Sequence, residues 1–253
     1  MSAKSGTLTA ALIVIGNEIL SGRTLDANTQ FIARKLLGRG IVLAEVRVVP
    51  DIEATIIKAV NELRKEVDYV FTTGGIGPTH DDITALSVAR AFGVALVSDP
   101  HARQVMEEHY KKTSTDMTAS RLKMALIPEG AKLIPNPVSG APGFIIGNVH
   151  VMAGVPKIMQ AMLENTLPLL KEGLPILWET VECSMRESEI AEKLSALQDK
   201  YPDVDIGSYP QYQPGPKSLS LVLKSTQRDR LKNATGELMK IIRDAGDEPT
   251  LAM

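Results

Sequence analysis

Apolar runs alternate with amphipathic segments along the first two-thirds of the chain. Leu8–Ile15 is almost continuously apolar, which predicts a strand buried on both faces. Ile52–Leu63 places its aliphatic side chains on one stripe, which predicts a helix that packs on a core. Further strands are predicted at 41–49, 69–73, 94–97, 144–146 and 150–152, and further helices at 26–37, 82–92, 101–112, 119–124 and 156–163.

This alternation predicts an α/β domain over residues 8–170, built on a mostly parallel sheet with helices on both faces. Parallel strands joined through helices need crossover connections, and these are expected to be right-handed. The carboxyl ends of the strands then share one edge of the sheet, where ligands of such folds bind.

The pattern changes near Leu170–Pro175, which we interpret as a linker. Beyond it, strands at 177–185, 203–209 and 219–224 and a helix at 187–197 are predicted, with Pro210–Pro216 joining the last two strands. Thr226 is expected to cap a final helix. The order β-α-β-β-α predicts a small α+β second domain over residues 176–250.

The charge balance excludes one class of partner. The 253 residues include 28 Lys+Arg and 30 Asp+Glu, a formal net charge of −2, whereas proteins that grip nucleic-acid backbone carry a basic surplus. Only 4 % of the residues are aromatic, so few could stack on single-stranded bases. We therefore do not expect nucleic acid as a partner.

The single cysteine, Cys183, excludes a disulfide within the chain and a zinc site built from several cysteines, and it favours a reducing compartment. The first residues do not resemble a secretory signal, and the apolar run Ala10–Ile15 is far shorter than the ~20 residues that span a bilayer. We therefore expect a cytoplasmic protein without a membrane segment that handles a small molecule.

Two of the loops that follow predicted strands carry oxygen acceptors. Gly16 lets a ligand approach the backbone closely, and Glu18, Asp26 and Asn28 follow it. Asp51 comes directly after the second strand. In the alternative interpretation, Asp26 and Asp51 only cap the helices that follow them.

The segment Thr72–Thr84 is the most informative part of the chain. Gly74, Gly75 and Gly77 lie just before a predicted helix N-terminus, a combination that favours phosphate. It matches neither a P-loop nor a Rossmann fingerprint. The carboxylates of Asp81 and Asp82 would repel phosphate unless a divalent cation such as Mg²⁺ lay between them.

The alternative for this segment is a glycine turn with two capping aspartates. His80 could ligate a metal, but a histidine with no second one nearby is more often a polar loop residue. The remaining histidines are scattered along the chain and predict no metal set.

Two later loops are rich in turn-forming residues. The loop before the strand at 144–146 contains Ser139, Gly140, Ala141, Pro142 and Gly143, and a second loop contains Gly154 and ends at Pro156, a good first residue for a helix. Each is a candidate ligand contact or simply a structural turn. Ser139 lacks a His/Asp pairing, so a nucleophilic triad is not predicted.

These loops carry a family resemblance. Thr72–Gly77 with Pro78 and Asp82, together with Pro50-Asp51, resembles the molybdopterin-binding domain of molybdenum-cofactor biosynthesis proteins. With Gly16–Gly22, Ser139–Phe144 and Met152–Pro156 added, the set is similar to the N-terminal part of the competence/damage-inducible protein A (CinA) family, over about residues 8–170.

Two departures from these families matter. Ile76 stands where molybdopterin adenylyltransferases usually have threonine, which favours the CinA type over adenylyl transfer. Many CinA proteins also carry an amidohydrolase domain for nicotinamide mononucleotide. The sequence stops at Met253, too early to include one, so we expect no deamidase activity.

The resemblance implies a phosphorylated small-molecule ligand, either molybdopterin or an adenine nucleotide, and metal-dependent hydrolysis of a pyrophosphate such as ADP-ribose, with Mg²⁺, Mn²⁺ or Co²⁺. It also implies a homo-oligomer, a dimer or trimer. The alternatives are a molybdopterin adenylyltransferase and a non-catalytic pterin or nucleotide carrier.

The resemblance also implies the residues of the site. The expected catalytic residues are Asp82, Asp51 and Asp81. The expected metal ligands are Asp82, Asp51 and Glu18. Expected ligand contacts are Gly16, Asn17, Glu18, Asp26, Asn28, Thr73, Gly74, Gly75, Gly77, Pro78, Thr79, Thr84, Ser139, Gly140, Ala141, Pro142, Gly143, Gly154 and Pro156.

Overall fold

The computed structural model describes residues 7–210 and 219–252. The chain divides into two compact units, Met1–Leu174 and Pro175–Met253. In the described part of the chain, no helix combines the length and the apolar character needed to cross a membrane.

The first unit alternates strands and helices as its hydrophobic pattern predicts. Its strands are β1 (Leu8–Ile15), β2 (Ile41–Val49), β3 (Tyr69–Thr73), β4 (Leu96–Ser98), β5 (Leu126–Pro128), β6 (Lys132–Ile134), β7 (Gly143–Ile146) and β8 (Val149–Met152). Its α-helices are α1 (Asn17–Leu20), α2 (Asn28–Leu37), α3 (Glu53–Glu66), α4 (Thr84–Phe92), α5 (Pro100–Lys112), α6 (Ala119–Leu122) and α7 (Pro156–Thr166), with 3-10 turns at Lys123–Ala125 and Leu167–Leu169.

The main sheet of the first unit has the order β2-β1-β3-β8-β7-β6. Strands β2, β1, β3 and β8 are parallel, and β7 and β6 continue the sheet in antiparallel pairing. The predicted mostly parallel sheet is therefore confirmed. Strand β4 lies outside it, because it pairs with β5 as a separate antiparallel ribbon.

The apolar run of β1 is explained by two hydrophobic clusters, one on each face of the sheet. Ala11, Ile13 and Ile15 face the cluster that includes residues of α3, α4 and α5. The alternate residues of β1 face the cluster that includes residues of α2 and α7. Since successive side chains of a strand point to opposite faces, a strand covered on both sides must be apolar throughout. We call these the α4-side cluster and the α2-side cluster.

Local chemistry shifts several predicted boundaries. Helix α4 begins at Thr84 rather than at Asp82, and α2 begins at Asn28 rather than at Asp26. Asp is a poor residue for a helix interior because its side chain hydrogen-bonds nearby backbone groups in turns. The short strands β5 and β6 and the one-turn helix α1 were not predicted, since three or four residues carry too little periodicity.

The second unit consists of β9 (Leu177–Cys183), α8 (Glu187–Lys200), β10 (Asp205–Pro210), β11 (Leu219–Ser225), α9 (Arg228–Asp244) and β12 (Thr250–Ala252). Its strands form an antiparallel sheet of order β10-β11-β9-β12, in agreement with the predicted α+β class. Cys183 is buried there. The N-cap of α9 is Gln227, so the predicted Thr226 cap is wrong. Residues 211–216 of the predicted connection lie outside the described residues.

Candidate functional site

The loops after the four parallel strands meet at one edge of the main sheet. The Gly16 N–H, just after β1, donates to the Val49 carbonyl at the end of β2 (3.1 Å). The Gly74 N–H, just after β3, donates to the Met152 carbonyl at the end of β8 (3.2 Å). We call these segments, residues 16–27, 50–52, 74–83 and 153–155, the strand-end loops.

Asp51 connects the first two strand-end loops. Its carboxylate oxygen Oδ2 accepts a hydrogen bond from the Asn17 N–H (2.9 Å). The N-cap of α3 is Ile52, and no side chain caps that helix. The capping interpretation of Asp51 is therefore wrong, and the carboxylate instead lies beside the loop that follows β1.

Glu18 lies on the same loop, on the exposed one-turn helix α1. A Cβ added to Gly16 would come within 2.6 Å of both Glu18 carboxylate oxygens. Glycine at position 16 therefore leaves the space that this carboxylate occupies. Asp51 therefore lies beside Asn17, and Glu18 follows Asn17 on the same loop.

The Asp26 carboxylate, unlike that of Asp51, forms its hydrogen bonds with the helix that follows it. Its Oδ1 accepts hydrogen bonds from the N–H groups of Asn28 (2.9 Å) and Thr29 (3.1 Å), and its Oδ2 accepts one from the Thr29 hydroxyl. The carboxylate therefore holds the first turn of α2, as the structural alternative proposes. Both of its oxygens are already used within the chain.

The glycine-rich loop folds tightly between β1 and α4. Gly74 has φ +102°, and a Cβ there would overlap the Ile15 carbonyl oxygen. Thr84 is fully buried, its hydroxyl donates to the Gly74 carbonyl (3.0 Å), and its N–H donates to the Gly75 carbonyl (2.9 Å). The side chain and N–H of Thr84 therefore shape the loop instead of facing a ligand.

Replacing Gly74 with alanine is expected to destabilise the first unit by about 2–4 kcal/mol, because it adds both backbone strain and a clash with fixed backbone. Thermal or urea unfolding measures the change. The matched control is Gly93→Ala: Gly93 also has positive φ (+68°), but a Cβ there would meet nothing within 4 Å. We expect this control to lose only about 1–2 kcal/mol, and equal losses would contradict the close-approach explanation.

Asp81 and Asp82 converge on Thr79. The Thr79 hydroxyl lies 2.5 Å from Asp81 Oδ1 and 2.5 Å from Asp82 Oδ2, and the Thr79 N–H donates to the same Asp82 oxygen (2.8 Å). The hydrogen bond from Thr79 lowers the pKa of the Asp81 carboxyl below its ordinary value. The N-cap of α4 is Ile83, so the alternative that these aspartates cap the helix is wrong.

Fewer backbone N–H groups are available to bind phosphate in the structure than the sequence predicts. The N–H groups of Gly74 and Thr79 are used by Met152 and Asp82. Gly75 and Gly77 remain as candidates, and Gly77 packs so closely that a Cβ would lie 2.7 Å from Asp82 Oδ2. The exposed Pro78 ends this glycine stretch.

The carboxylates of the strand-end loops could supply some, but not all, of the ligands of a Mg²⁺ ion. Within residues 7–210 and 219–252, no three His, Cys, Asp or Glu side chains form a metal cluster, so Asp82, Asp51 and Glu18 are not a closed cage. Mg²⁺ is usually held by one or two carboxylates together with substrate phosphates and waters. The Asp81–Asp82 pair fits that requirement. The His80 side chain is 96 % exposed, as expected of a polar loop residue.

The loop before β7 reaches the same sheet edge, because β7 runs antiparallel to β8 and Phe144 pairs with Val151. The side chain of Asn136 organises this loop, a role that the sequence pattern did not predict. Asn136 is buried, accepts from the N–H groups of Val138 and Ser139 (both 3.1 Å), and donates to the Ser139 hydroxyl (2.6 Å).

Other residues of this loop are buried or contact residues elsewhere in the first unit. Asn136 also donates to the Ala141 carbonyl (2.7 Å), and a Cβ on Gly140 would come within 2.6 Å of the His109 side chain. Ala141 and Pro142 are buried, and Gly143 is the first residue of β7. These contacts favour the structural-turn interpretation. Asparagine commonly bonds through its side chain to backbone two residues further on, and this property is the sequence signal for the role of Asn136.

The last strand-end loop is tied to α2. Asn28 donates from Nδ2 to the Gly154 carbonyl (2.8 Å), across 126 positions of sequence. A Cβ on Gly154 would lie 3.2 Å from Gly74 Cα, so the loops after β3 and β8 touch. Pro156 is the first residue of α7, as predicted.

Comparisons with known proteins cover both units. A family model described as "Probable molybdopterin binding domain" matches residues 11–172, and one described as "FAD synthase, middle domain" matches residues 175–246. A protein from Archaeoglobus fulgidus is 35% identical over 233 residues, which are 92% of this chain and 97% of that protein.

Two further relatives are named after CinA or competence damage. A putative competence-damage inducible protein from Clostridium beijerinckii is 34% identical over 247 residues, covering 94% of this chain and 58% of the Clostridium protein. The crystal structure of the protein CinA with unknown function from Thermoplasma acidophilum is similar with a TM-score of 0.58 and 38% identity, covering 64% of this chain and 97% of that one.

Proposed function

Because this chain belongs to the family of probable molybdopterin binding domains, we propose that its first unit binds a phosphorylated pterin or adenine dinucleotide at the strand-end loops. We propose further that it hydrolyses the pyrophosphate bond of that ligand with the help of a divalent metal. The observation that carries the proposal is the Asp81–Thr79–Asp82 cluster beside the glycine turn. Such a pair of carboxylates is compatible with a phosphate ligand when a cation lies between them.

In this proposal the carboxylates of the site interact with the metal and the glycines with the phosphates. Asp81 and Asp82 hold the metal, and Asp51 with Glu18 adds negative charge on the neighbouring loop. Gly75 and Gly77 allow the phosphates to approach the backbone closely. The bound metal supplies charge neutralisation at the phosphates, the usual requirement for phosphoryl chemistry.

The reaction balances without a further reactant. A water oxygen bonds to phosphorus, the bridging P–O bond breaks, and the proton of the water passes to the released phosphate or to solvent. With ADP-ribose the products are AMP and ribose 5-phosphate.

The test is incubation of the purified chain with ADP-ribose and Mg²⁺, Mn²⁺ or Co²⁺ in turn, with AMP measured by chromatography. We expect AMP release with at least one metal and none after chelation with EDTA. A chain that releases no more AMP than a protein-free blank with every metal would contradict the hydrolytic proposal.

The same purified chain can be used to distinguish hydrolysis from two other functions, adenylyl transfer and non-catalytic binding. Adenylyl transfer would produce adenylylated molybdopterin from ATP. Ile76 argues against it, because this side chain packs against both hydrophobic clusters where the adenylyltransferases carry a threonine. A carrier would bind nucleotide tightly without turnover.

The homo-oligomer implied by the resemblance and the cytoplasmic location expected from the sequence remain parts of this proposal. Every contact described above lies within the first unit of one chain.

A further inference from the structure

Two buried polar atoms at the sheet edge lack hydrogen-bond partners within the described residues. They are Oδ1 of Asn28, which is 7 % exposed, and the hydroxyl Oγ1 of Thr73, which is 1 % exposed. Buried polar groups in folded proteins are nearly always paired, because an unpaired group loses its bonds to water without replacement. A polar ligand atom is one partner that would repay this cost.

Both atoms lie on the same face of the sheet. Thr73 pairs with Val14 and Met152, which belong to the α2-side cluster. Asn28 opens α2 and lies on the same helix as Ile32 and Leu36, which belong to that cluster as well. Both also lie at the carboxyl edge, because Thr73 precedes Gly74 and Asn28 binds the loop that touches Gly74.

The amide of Asn28 is oriented by its other end. Nδ2 donates to the Gly154 carbonyl, so Oδ1 is the free end of the group and can only accept a hydrogen bond. The Thr73 hydroxyl can accept or donate. A ligand group that bears an N–H or O–H donor can therefore pair with either atom.

The charged cluster lies toward the opposite face. Asp81 and Asp82 immediately precede α4, whose Val88 and Ala91 belong to the α4-side cluster. A ligand with a charged end and a neutral polar end would thus find the two matching environments on the two sides of the glycine turn.

We propose that Asn28 Oδ1 and the Thr73 hydroxyl form a subsite for a neutral hydrogen-bond donor of the ligand, an amino group of its base or a hydroxyl of its sugar. The inference rests on the proposed function, because it uses the same ligand. It adds that the ligand is selected at its uncharged end by residues on the α2 side.

The first experiment measures binding of a hydrolysis-resistant probe, α,β-methylene ADP-ribose with Mg²⁺, by calorimetry. Asn28→Ala and Thr73→Val are each expected to weaken binding about ten-fold, the effect of one lost hydrogen bond. Thr72→Val is the matched control. Thr72 is also buried with an unpartnered hydroxyl in the described chain, but it pairs with Ile13 and Val151 on the other face.

Stability measurements separate a ligand contact from a structural role. Both threonine-to-valine variants remove an unpaired buried hydroxyl at nearly constant shape, so both should keep or raise the melting temperature of the protein. Only Thr73→Val should also lose affinity. A Thr72→Val variant that weakens binding as much as Thr73→Val would overturn the assignment to one face.

The second experiment removes the donor from the ligand. Probes that carry unsubstituted purine instead of adenine, or a deoxyribose instead of a ribose, each lack one candidate donor. We expect one of them to bind the wild type about ten-fold more weakly and to be insensitive to Asn28→Ala. That probe identifies the donor.

Two outcomes overturn the inference in different ways. Equal weakening of every probe by Asn28→Ala would mean that Asn28 only supports the Gly154 loop, and the subsite would be wrong while the proposed function stood. Failure of the wild type to bind any of the probes would overturn the adenine-dinucleotide form of the proposed function and the subsite together.

Discussion

Asp82→Asn is expected to reduce AMP release from ADP-ribose by about 100-fold or more, the range found when one electrostatic group of a reaction site is removed. Asparagine keeps an oxygen that can accept from the Thr79 N–H and hydroxyl, so the loop geometry is preserved while the negative charge is lost. The expected loss is therefore one of charge and metal affinity rather than of folding. Steady-state kinetics over a metal titration measure it.

The matched control is Asp116→Asn, which removes the same charge from an exposed aspartate of the same unit. We expect the control to retain wild-type activity. Asp82→Asn with wild-type turnover and wild-type metal dependence would show that this carboxylate does not take part. If both variants lost activity equally, the effect would come from overall charge and not from the site.

Acidification is expected to destabilise the first unit through His150, a buried residue of β8. Its side chain stacks on Phe71 (ring centroids 5.0 Å apart), and its Nδ1 has no hydrogen-bond partner among the residues that the structure describes. Burial lowers the pKa of His150 to about 4. The folded state therefore resists protonation that the unfolded chain accepts near pH 6.5.

The depressed pKa of His150 determines the direction in which the free energy of unfolding changes with pH. Above pH 6.5 the imidazole is neutral in both states and the full stability is present. As the pH falls from 6.5 towards 4 the unfolded state binds the proton first, so the free energy of unfolding decreases by about 1.4 kcal/mol per pH unit, about 3 kcal/mol in all. Urea unfolding followed by circular dichroism at pH 7, 6 and 5 measures the decrease.

His150→Leu is expected to remove this dependence between pH 6.5 and 5, where most carboxylates are still ionised. His101→Gln is the control, since His101 is exposed on α5. Hydrogen exchange of the β8 amides would assign the effect to the first unit. An unchanged pH slope in His150→Leu would contradict the explanation.

Local pattern explains why much of the fold was predictable. The continuous apolar run of β1 and the helical stripe of α3 are each set by residues close together in sequence, and both elements lie where the pattern places them. The CinA-type resemblance is confirmed by the matching family model and the similar Thermoplasma structure. Elements of three or four residues, such as β5 and β6, were missed because so few side chains define no period.

The two aspartates that follow β1 and β2 show where prediction from sequence stops. Asp26 and Asp51 both lie shortly before a helix, and the capping rule applies equally to each. Asp26 binds backbone two and three residues away, whereas Asp51 binds the backbone of Asn17, 34 residues away. A local rule cannot distinguish them, because the deciding partner of Asp51 is brought in by the parallel pairing of β1 with β2.

The sequence by itself determined the α/β class, the candidate loops and the charged residues on them, because periodicity, glycine turns and charge are properties of neighbouring residues. Only the tertiary structure decided which polar groups the chain itself uses. It assigned the oxygens of Asp26 to α2 and the hydroxyl of Thr84 to the glycine loop, and it left Asn28 Oδ1 and Thr73 Oγ1 unpaired within the described residues. The physical reason is that hydrogen-bond partners across a sheet are chosen by strand register and helix packing, which join residues far apart in sequence.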